Sequence, residues 1–461
     1  MELSTFTVLG MLAVLALISY VGIRAGGKIK TAKDFTTGSG MGTSMVAGSL
    51  IGTLVGGAST IGTAQLAFTY GLSAWWFTMG GGLGLFFMAI FFVRPLRKSG
   101  LSTLPQILTR EYGKPIATTA AILMSVGTFI SIVSQLLSGA ALITSLWPME
   151  VVWAVIMAAI LMIVYVLFGG AWGAGMVGMV KTVLMYAITL VCGITAIAKA
   201  GGLEAFDLPA QQYFNFFARG VWKDGGACAS LVFGVLTTQA YFLPIISAKD
   251  EKTAINGSVW GGVLTVCIGL AGILVGLYMR VYYPDTPSAS VLPVFVITCL
   301  PDFLGGIILA ALLVALVGTG AGLALGIGTV LSVDIYKPLL RPKASEKEQL
   351  LVSRGLILVI LAVASLFATG EAGSMILNWS FLSMGLRGAV MFAPLCFALF
   401  APGRVPGKFA AVAIVTGPVT VLVSSYLLPE HIDPLIPGMA VALLICLAGY
   451  CSTKKHQLTE A

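Results

Sequence analysis

Apolar runs about as long as a bilayer-crossing helix, roughly 20 residues each, recur along the whole chain. Thirteen are read, at 5–24, 45–71, 73–97, 117–146, 150–169, 174–199, 227–246, 253–283, 303–332, 350–370, 374–400, 408–428 and 435–452. A shorter apolar piece, 290–300, precedes Pro301 and is read as a half-helix. Backbone at that depth has no water to bond to, so each run must satisfy its own polar groups as a helix. An all-α polytopic membrane protein is therefore predicted. Charge agrees: Asp, Glu, Lys and Arg make up 10 % of the 461 residues, against about 25 % in soluble domains.

The basic residues set the orientation. With the N-terminus outside, 20 of the 26 Lys and Arg fall in or beside cytoplasmic loops. The outer side keeps Lys199, Arg219, Lys223 and Arg280. This positive-inside bias predicts a multi-pass plasma (inner) membrane protein with a cytoplasmic C-terminus. The net charge of +8 is thus a topology signal spread over many short loops, and no nucleic-acid partner is expected. The first run follows Met1-Glu2 without a basic stretch and is read as a retained span, not a signal peptide.

Enzyme chemistry finds no foothold. The seven cysteines form no C-x-x-C pair, and His431 and His456 both sit in polar end segments. No phosphate-binding loop, H-E-x-x-H or G-x-S-x-G pattern stands in a context that would make it chemical. No cofactor is expected beyond a coupling cation, with a small solute and the lipid bilayer as partners.

Small and polar residues interrupt two runs. The second contains Gly52-Thr53-Leu54-Val55-Gly56-Gly57-Ala58-Ser59-Thr60, where adjacent glycines and hydroxyls favour unwinding. The seventh carries Gly234, Thr237-Thr238-Gln239 and Pro244. Freed carbonyls and half-helix ends at the midplane are what secondary transporters use to hold cations and substrates. Close helix packing on small residues is the competing reading. Irregular helices five runs apart suggest two inverted repeats, about 45–199 and 227–400, with 5–24, 408–428 and 435–452 peripheral, in one domain covering 1–461. The Gly/Ala-rich stretch Ala315 to Gly322 in the ninth run holds one hydroxyl, Thr319, and reads equally as packing seam or ion site.

Two cations lie inside the membrane. Arg387 is about thirteen residues from either end of its run, roughly 20 Å at 1.5 Å per residue, beyond snorkelling. A central Arg costs at least about 2.5–3.5 kcal/mol without a cavity or partner. No acidic residue lies at comparable depth, so a substrate carboxylate or the carbonyls of a broken helix must answer it. Lys181, about two turns into the sixth run on its cytoplasmic half, either snorkels or buries an ammonium that titrates or holds a cation position permanently.

Seven markers in order resemble the sodium/solute symporter family of proline, pantothenate, sialic acid and sodium/glucose transporters. They begin with Asp34-Phe35 and Gly38, then Thr69-Tyr70-Gly71-Leu72-Ser73-Ala74, then Thr103-Leu104-Pro105-Gln106 with Arg110 and Tyr112-Gly113. Gly169-Gly170, Ala248-Lys249-Asp250 with Lys252, Ala254 and Gly257, Asp334-Ile335-Tyr336-Lys337, and Ser353-Arg354 complete the series. The resemblance covers essentially the whole chain. It implies thirteen helices around a five-plus-five inverted-repeat (LeuT-type) core and alternating access driven by cation binding. It also implies a sodium site from the carbonyls of Gly52, Val55 and Ala315 with Thr319 Oγ1.

Departures from the family pattern share a direction. Gly318 replaces a Ser ligand, Leu54 an acidic or polar residue, Gly178-x-x-Lys181 an Asp-x-x-Gln, and Leu243-Pro244 a Gln-Arg. Sodium ligands are lost while a lysine appears on the helix of the lost Asp. The expectation is cation-coupled symport of a small organic solute, sodium first because carbonyls and one Thr remain. The alternative is a proton-coupled or sodium-independent transporter with Lys181 replacing the ion. A membrane solute sensor, and a channel or uniporter, stand as rivals. Expected solute contacts are Gly56, Gly57, Ser59, Thr60, Gln135, Gln239 and Arg387, the last favouring a carboxylate or amino acid.

Overall fold

The computed structural model describes residues 4–26, 40–101, 103–343, 345–371 and 373–459. Asp34, Phe35 and Gly38 lie outside the described residues, as do the side-chain surroundings of 166–180, including Gly178, and of Asp334 and Lys337. The first helices are α1 (Thr5–Gly26), α2 (Thr43–Leu54), α3 (Thr63–Tyr70), α4 (Trp76–Phe87), α5 (Val93–Lys98), α6 (Leu104–Tyr112), α7 (Lys114–Leu146) and α8 (Val151–Ala200). The chain continues through α9 (Val221–Thr237), α10 (Gln239–Ser247), α11 (Glu251–Tyr282), α12 (Val291–Cys299) and α13 (Asp302–Val330). It ends with α14 (Glu346–Gly370), α15 (Ile376–Phe400), α16 (Gly407–Leu427) and α17 (Leu435–Thr459). Among the described residues the strand-type pairing is one isolated bridge between Met41 and Ala248.

Local chemistry sets the helix starts. Thr103, Asp250 and Ser345 each accept a first-turn N–H with their side chains, from Gln106, Thr253 and Glu348, which satisfies a donor the helix cannot. Prolines occupy the first turns of α6 and α7, where the missing N–H costs nothing. Asp250 is exposed, and the Thr253 N–H bond holds its carboxyl below the usual carboxylate range.

The two interruptions read from the sequence are real breaks. α2 stops at Leu54 because Val55 is extended, at φ −83° and ψ 102°. The chain resumes through a wide turn, Ala58–Gly62, into α3. Likewise Thr238 is extended, and α9 and α10 meet there at a 50° bend. Among the described residues nine helical runs are long and apolar enough to cross a bilayer, or ten with the α9–α10 pair as one span. The thirteen-run reading divides the chain differently. Val151–Ala200 is helical throughout, over the expected fifth and sixth runs, and the outer half of the second run continues into the third through a tight turn at Gly71–Trp75. The half-helix expected at 290–300 is α12, followed by Pro301 at the start of α13.

Packing follows small residues, since lipid gives apolar helices no reason of its own to associate. α11 lies against α2, α3 and α4; α13 against α1, α7 and α8; and α15 against α7 and α9. A Cβ on Gly276 would come within 2.8 Å of the Ala64 carbonyl, so α11 and α3 touch backbone to backbone. Val183, Leu190, Leu366 and Leu427 point outward as lipid-facing side chains. Gly71 shows the constraint most sharply, with φ +57° and no room for a Cβ beside the Tyr213 backbone. Gly71→Ala is expected to destabilise the protein by about 1–3 kcal/mol, seen as a lowered Tm with unchanged helix content.

Candidate cation and solute site

The break in the second span is filled from within. Gly56 N–H donates to Ser59 Oγ at 3.0 Å, and the Thr60 hydroxyl donates back to Gly56 O at 2.9 Å. Gln135 on α7 accepts the Gly57 N–H at 2.9 Å. A Cβ on Gly56 would stand 2.9 Å from Thr319 Oγ1 and 3.0 Å from Gln135 Oε1, so only glycine lets α7 and α13 close on the exposed backbone. Gly56, Gly57, Ser59, Thr60 and Gln135 thus form one buried cluster.

Beside it lies the cation position. Lys181 extends from α8, 6 % exposed, and its Nζ donates to Thr319 Oγ1 at 2.5 Å and to Gly52 O at 3.3 Å. Thr319 Oγ1 donates onward to Ala315 O at 2.8 Å. Gly52 belongs to the last turn of α2, where carbonyls lack intrahelical partners and the helix dipole is negative. One ammonium therefore joins α2, α8 and α13 at two of the oxygens expected to hold sodium. Gly318 faces elsewhere: a Cβ there would stand 3.6 Å from the Tyr165 hydroxyl of α8. That phenol, next to where a serine ligand is missing, gave no signal in the sequence.

Arg387 is 2 % exposed on α15. Its Nε donates to Ser383 O at 3.2 Å, Nη1 to Thr238 Oγ1 at 3.1 Å, and Nη2 to Ser131 Oγ and Ser383 Oγ at 3.1 and 3.0 Å. Thr238 is the break residue of the seventh span, so the guanidinium ties that break to α7 and α15. Gly127 clears the way for it, since a Cβ there would come 2.7 Å from Arg387 Cγ. A hydroxyl ladder, Ser131–Ser383 and Ser134–Ser380 at 2.7 Å each, continues the α7–α15 seam. Among the described residues neither Arg387 nor Lys181 has an acidic partner within salt-bridge distance.

Gln239 stands apart from this cluster. Its Oε1 accepts the Leu104 N–H at 2.8 Å and so caps α6. Around it the expected inner end is closed: Arg97 Nη1 donates to Ile245 O and Ala248 O at 2.8 and 3.0 Å, and Gly40 and Met41 N–H groups both donate to Ser247 O at 3.0 Å. At the opposite end Gln65, absent from the sequence candidates, accepts the Ile376 N–H at 2.9 Å and donates to Ser374 O at 3.2 Å. Arg219 there pairs with Asp224 at 2.7 Å and bonds Ser73 at 3.0 Å. Hydrogen-bonded contacts thus flank the broken helices at both ends of the molecule.

A helical bundle with two broken spans and buried basic side chains at the breaks is the architecture of a secondary transporter. Residues 35–417 match the sodium:solute symporter family, and the chain belongs to that family. It is 25 % identical over 369 residues to high-affinity choline transporter 1 of Drosophila melanogaster, covering 76 % of this chain and 60 % of that protein. With the uncharacterized symporter YwcA of Bacillus subtilis it shares 25 % over 456 residues, 92 % of this chain and 86 % of the other. A solved structure of a Na⁺-coupled sialic acid symporter, substrate-bound and outward-open, superposes with a TM-score of 0.79 at 19 % identity, covering 98 % of each chain. That likeness fixes the fold as the LeuT-type inverted-repeat bundle. The family is one of transporters, and membership supports sodium as coupling ion and a small solute as cargo.

A double-mutant cycle tests the guanidinium latch. Arg387→Lys and Thr238→Val are expected to couple by about 0.5–3 kcal/mol in unfolding free energy, while Arg387→Lys with the remote Ser345→Ala should be additive.

Proposed function

We propose that the chain is a secondary active transporter of a small organic anion in which the Lys181 ammonium stands where its family places sodium. The observation that carries this reading is the pair of donor contacts from Lys181 Nζ to Thr319 Oγ1 and Gly52 O. A protonated Lys181 holds the half-helix α2 to α13; loss of the proton removes the charge and weakens both contacts. Proton movement on Lys181 then does what sodium binding and release do elsewhere, coupling a local charge to the rearrangement of α2.

The solute class follows from charge. Lys181 and Arg387 place two cations in the bundle interior, answered among the described residues by neutral hydroxyls and carbonyls. Unpaired buried charge is costly, so a carboxylate or amino acid is favoured over a cationic solute. The second reading, sodium coupling as in the family, draws on family membership and on the carbonyl and Thr319 oxygens that remain at the site.

Proteoliposomes loaded without sodium and given an inward proton gradient test the proposal with a panel of labelled carboxylates and amino acids. Uphill accumulation of one of them, collapsed by a protonophore, is expected. Lys181→Met should abolish accumulation but retain downhill exchange. Accumulation that requires a sodium gradient and survives Lys181→Met would establish the second reading instead.

A further inference from the structure

Away from the broken helices, a cavity of about 200 Å³ opens on the expected outer face, between α9, α15 and the connection from α16 to α17. Its size suits a ligand of a few heavy atoms, because drug-sized pockets start near about 300 Å³. Eight polar side chains line it, among them Arg219, Lys223, Ser230, Asn378, Glu430 and Asp433. Arg219 is already engaged with Asp224 at 2.7 Å and also reaches Asn378 at 3.4 Å. Lys223 and Asp433 are not so engaged. Both face the cavity, yet among the described residues neither makes an ion pair within 4.0 Å, with the other or with any third group.

The placement of Asp433 is built. Asp433 is 5 % exposed, and Gly226 leaves it room, since any Cβ there would overlap the Asp433 side chain. Its Oδ1 accepts the Leu435 N–H at 2.9 Å, which caps α17. Burial pushes its carboxyl up, against the pull of the Leu435 N–H and the more distant Lys223 and Arg219 charges. Ser230, 1 % exposed, lies beside this carboxyl and its hydroxyl also pulls the carboxyl down. A buried carboxylate without a cationic partner within salt-bridge distance thus lines a cavity together with the Lys223 ammonium, so the lining carries charge of both signs.

We infer that this cavity is a binding site for a small zwitterion of the amino-acid type. Its ammonium sits at Asp433 and Glu430, and its carboxylate at Lys223 and the outer edge of Arg219. A simple anion would meet the two acids, and a simple cation the two bases; a molecule carrying both charges answers both signs of the lining. The site is separate from the Lys181 and Arg387 positions. Because α9 and α15 also carry the seventh-span break and Arg387, an occupant would bias how these helices part.

Thermal unfolding of the full-length protein in detergent, titrated with glycine, L-alanine and L-proline, tests the inference, with acetate and methylammonium as half-charge probes. A saturable rise in Tm with a zwitterion, absent for both half-charge probes, is expected. Lys223→Gln and Ser230→Ala should weaken it, the former about tenfold or more, as expected for a charge-assisted contact. Lys223 is half-buried at a helix start and its replacement should fold, so the test does not rest on Asp433→Asn, which also removes the α17 cap. A shift that persists undiminished in both variants places the zwitterion at the central site and overturns the inference. So does the absence of any zwitterion shift.

Discussion

The bundle turns on one ammonium placed against a helix end. α2 stops in mid-membrane, and its last carbonyls would be left without donors in a medium that offers no water. Lys181 Nζ answers one of them at Gly52 and the Thr319 hydroxyl at the same time, which joins α2 to α8 and α13. In the family pattern a free cation meets this need and can leave. In the proposed reading the charge is tethered, so only its proton can leave. That difference separates a site emptied by diffusion from one emptied by titration.

The second break is stabilised by the same logic with a permanent charge. Thr238 interrupts the seventh span, and Arg387 reaches its hydroxyl while bonding Ser131 and Ser383 on two other helices. A guanidinium presents five donors in a fixed fork, suited to several neutral acceptors at once. The two breaks thus each carry one buried basic side chain. Both lie among hydroxyls and carbonyls, which soften the cost of burial without neutralising it. The proposed anionic solute would supply the counter-charge in this arrangement.

Much of this was legible in the sequence, and the reasons are physical. Apolar run length and the Lys/Arg bias reveal membrane helices because bilayer thickness is nearly constant. Gly56-Gly57 and Thr237-Thr238 marked the breaks because adjacent glycines and paired hydroxyls together favour unwinding. Arg387 and Lys181 stood out because charge at that depth demands an explanation. Other features depend on tertiary contact and left no trace. Gln239 looked like a pocket residue but caps α6 at Leu104, more than a hundred positions earlier in the chain. Gln65 bonds α15 at both Ser374 and Ile376 from inside an ordinary apolar helix. Tyr165 meets Gly318 only because α8 and α13 pack together. Run counting also divided α8 in two, since hydropathy records composition and not where the helix actually stops.

Whether the tethered charge has displaced the free ion is decided by sodium dependence of stability in the wild-type protein. A bound ligand at about 100 times its Kd adds roughly 2.7 kcal/mol to the native state, well within reach of a thermal melt. Unfolding would be followed in NaCl and in choline chloride at matched ionic strength. With Lys181 in place, the two midpoints should coincide at every sodium concentration. A saturable sodium-specific rise in Tm that disappears in Thr319→Ala would show that sodium still binds there, and would contradict the lysine-filled site.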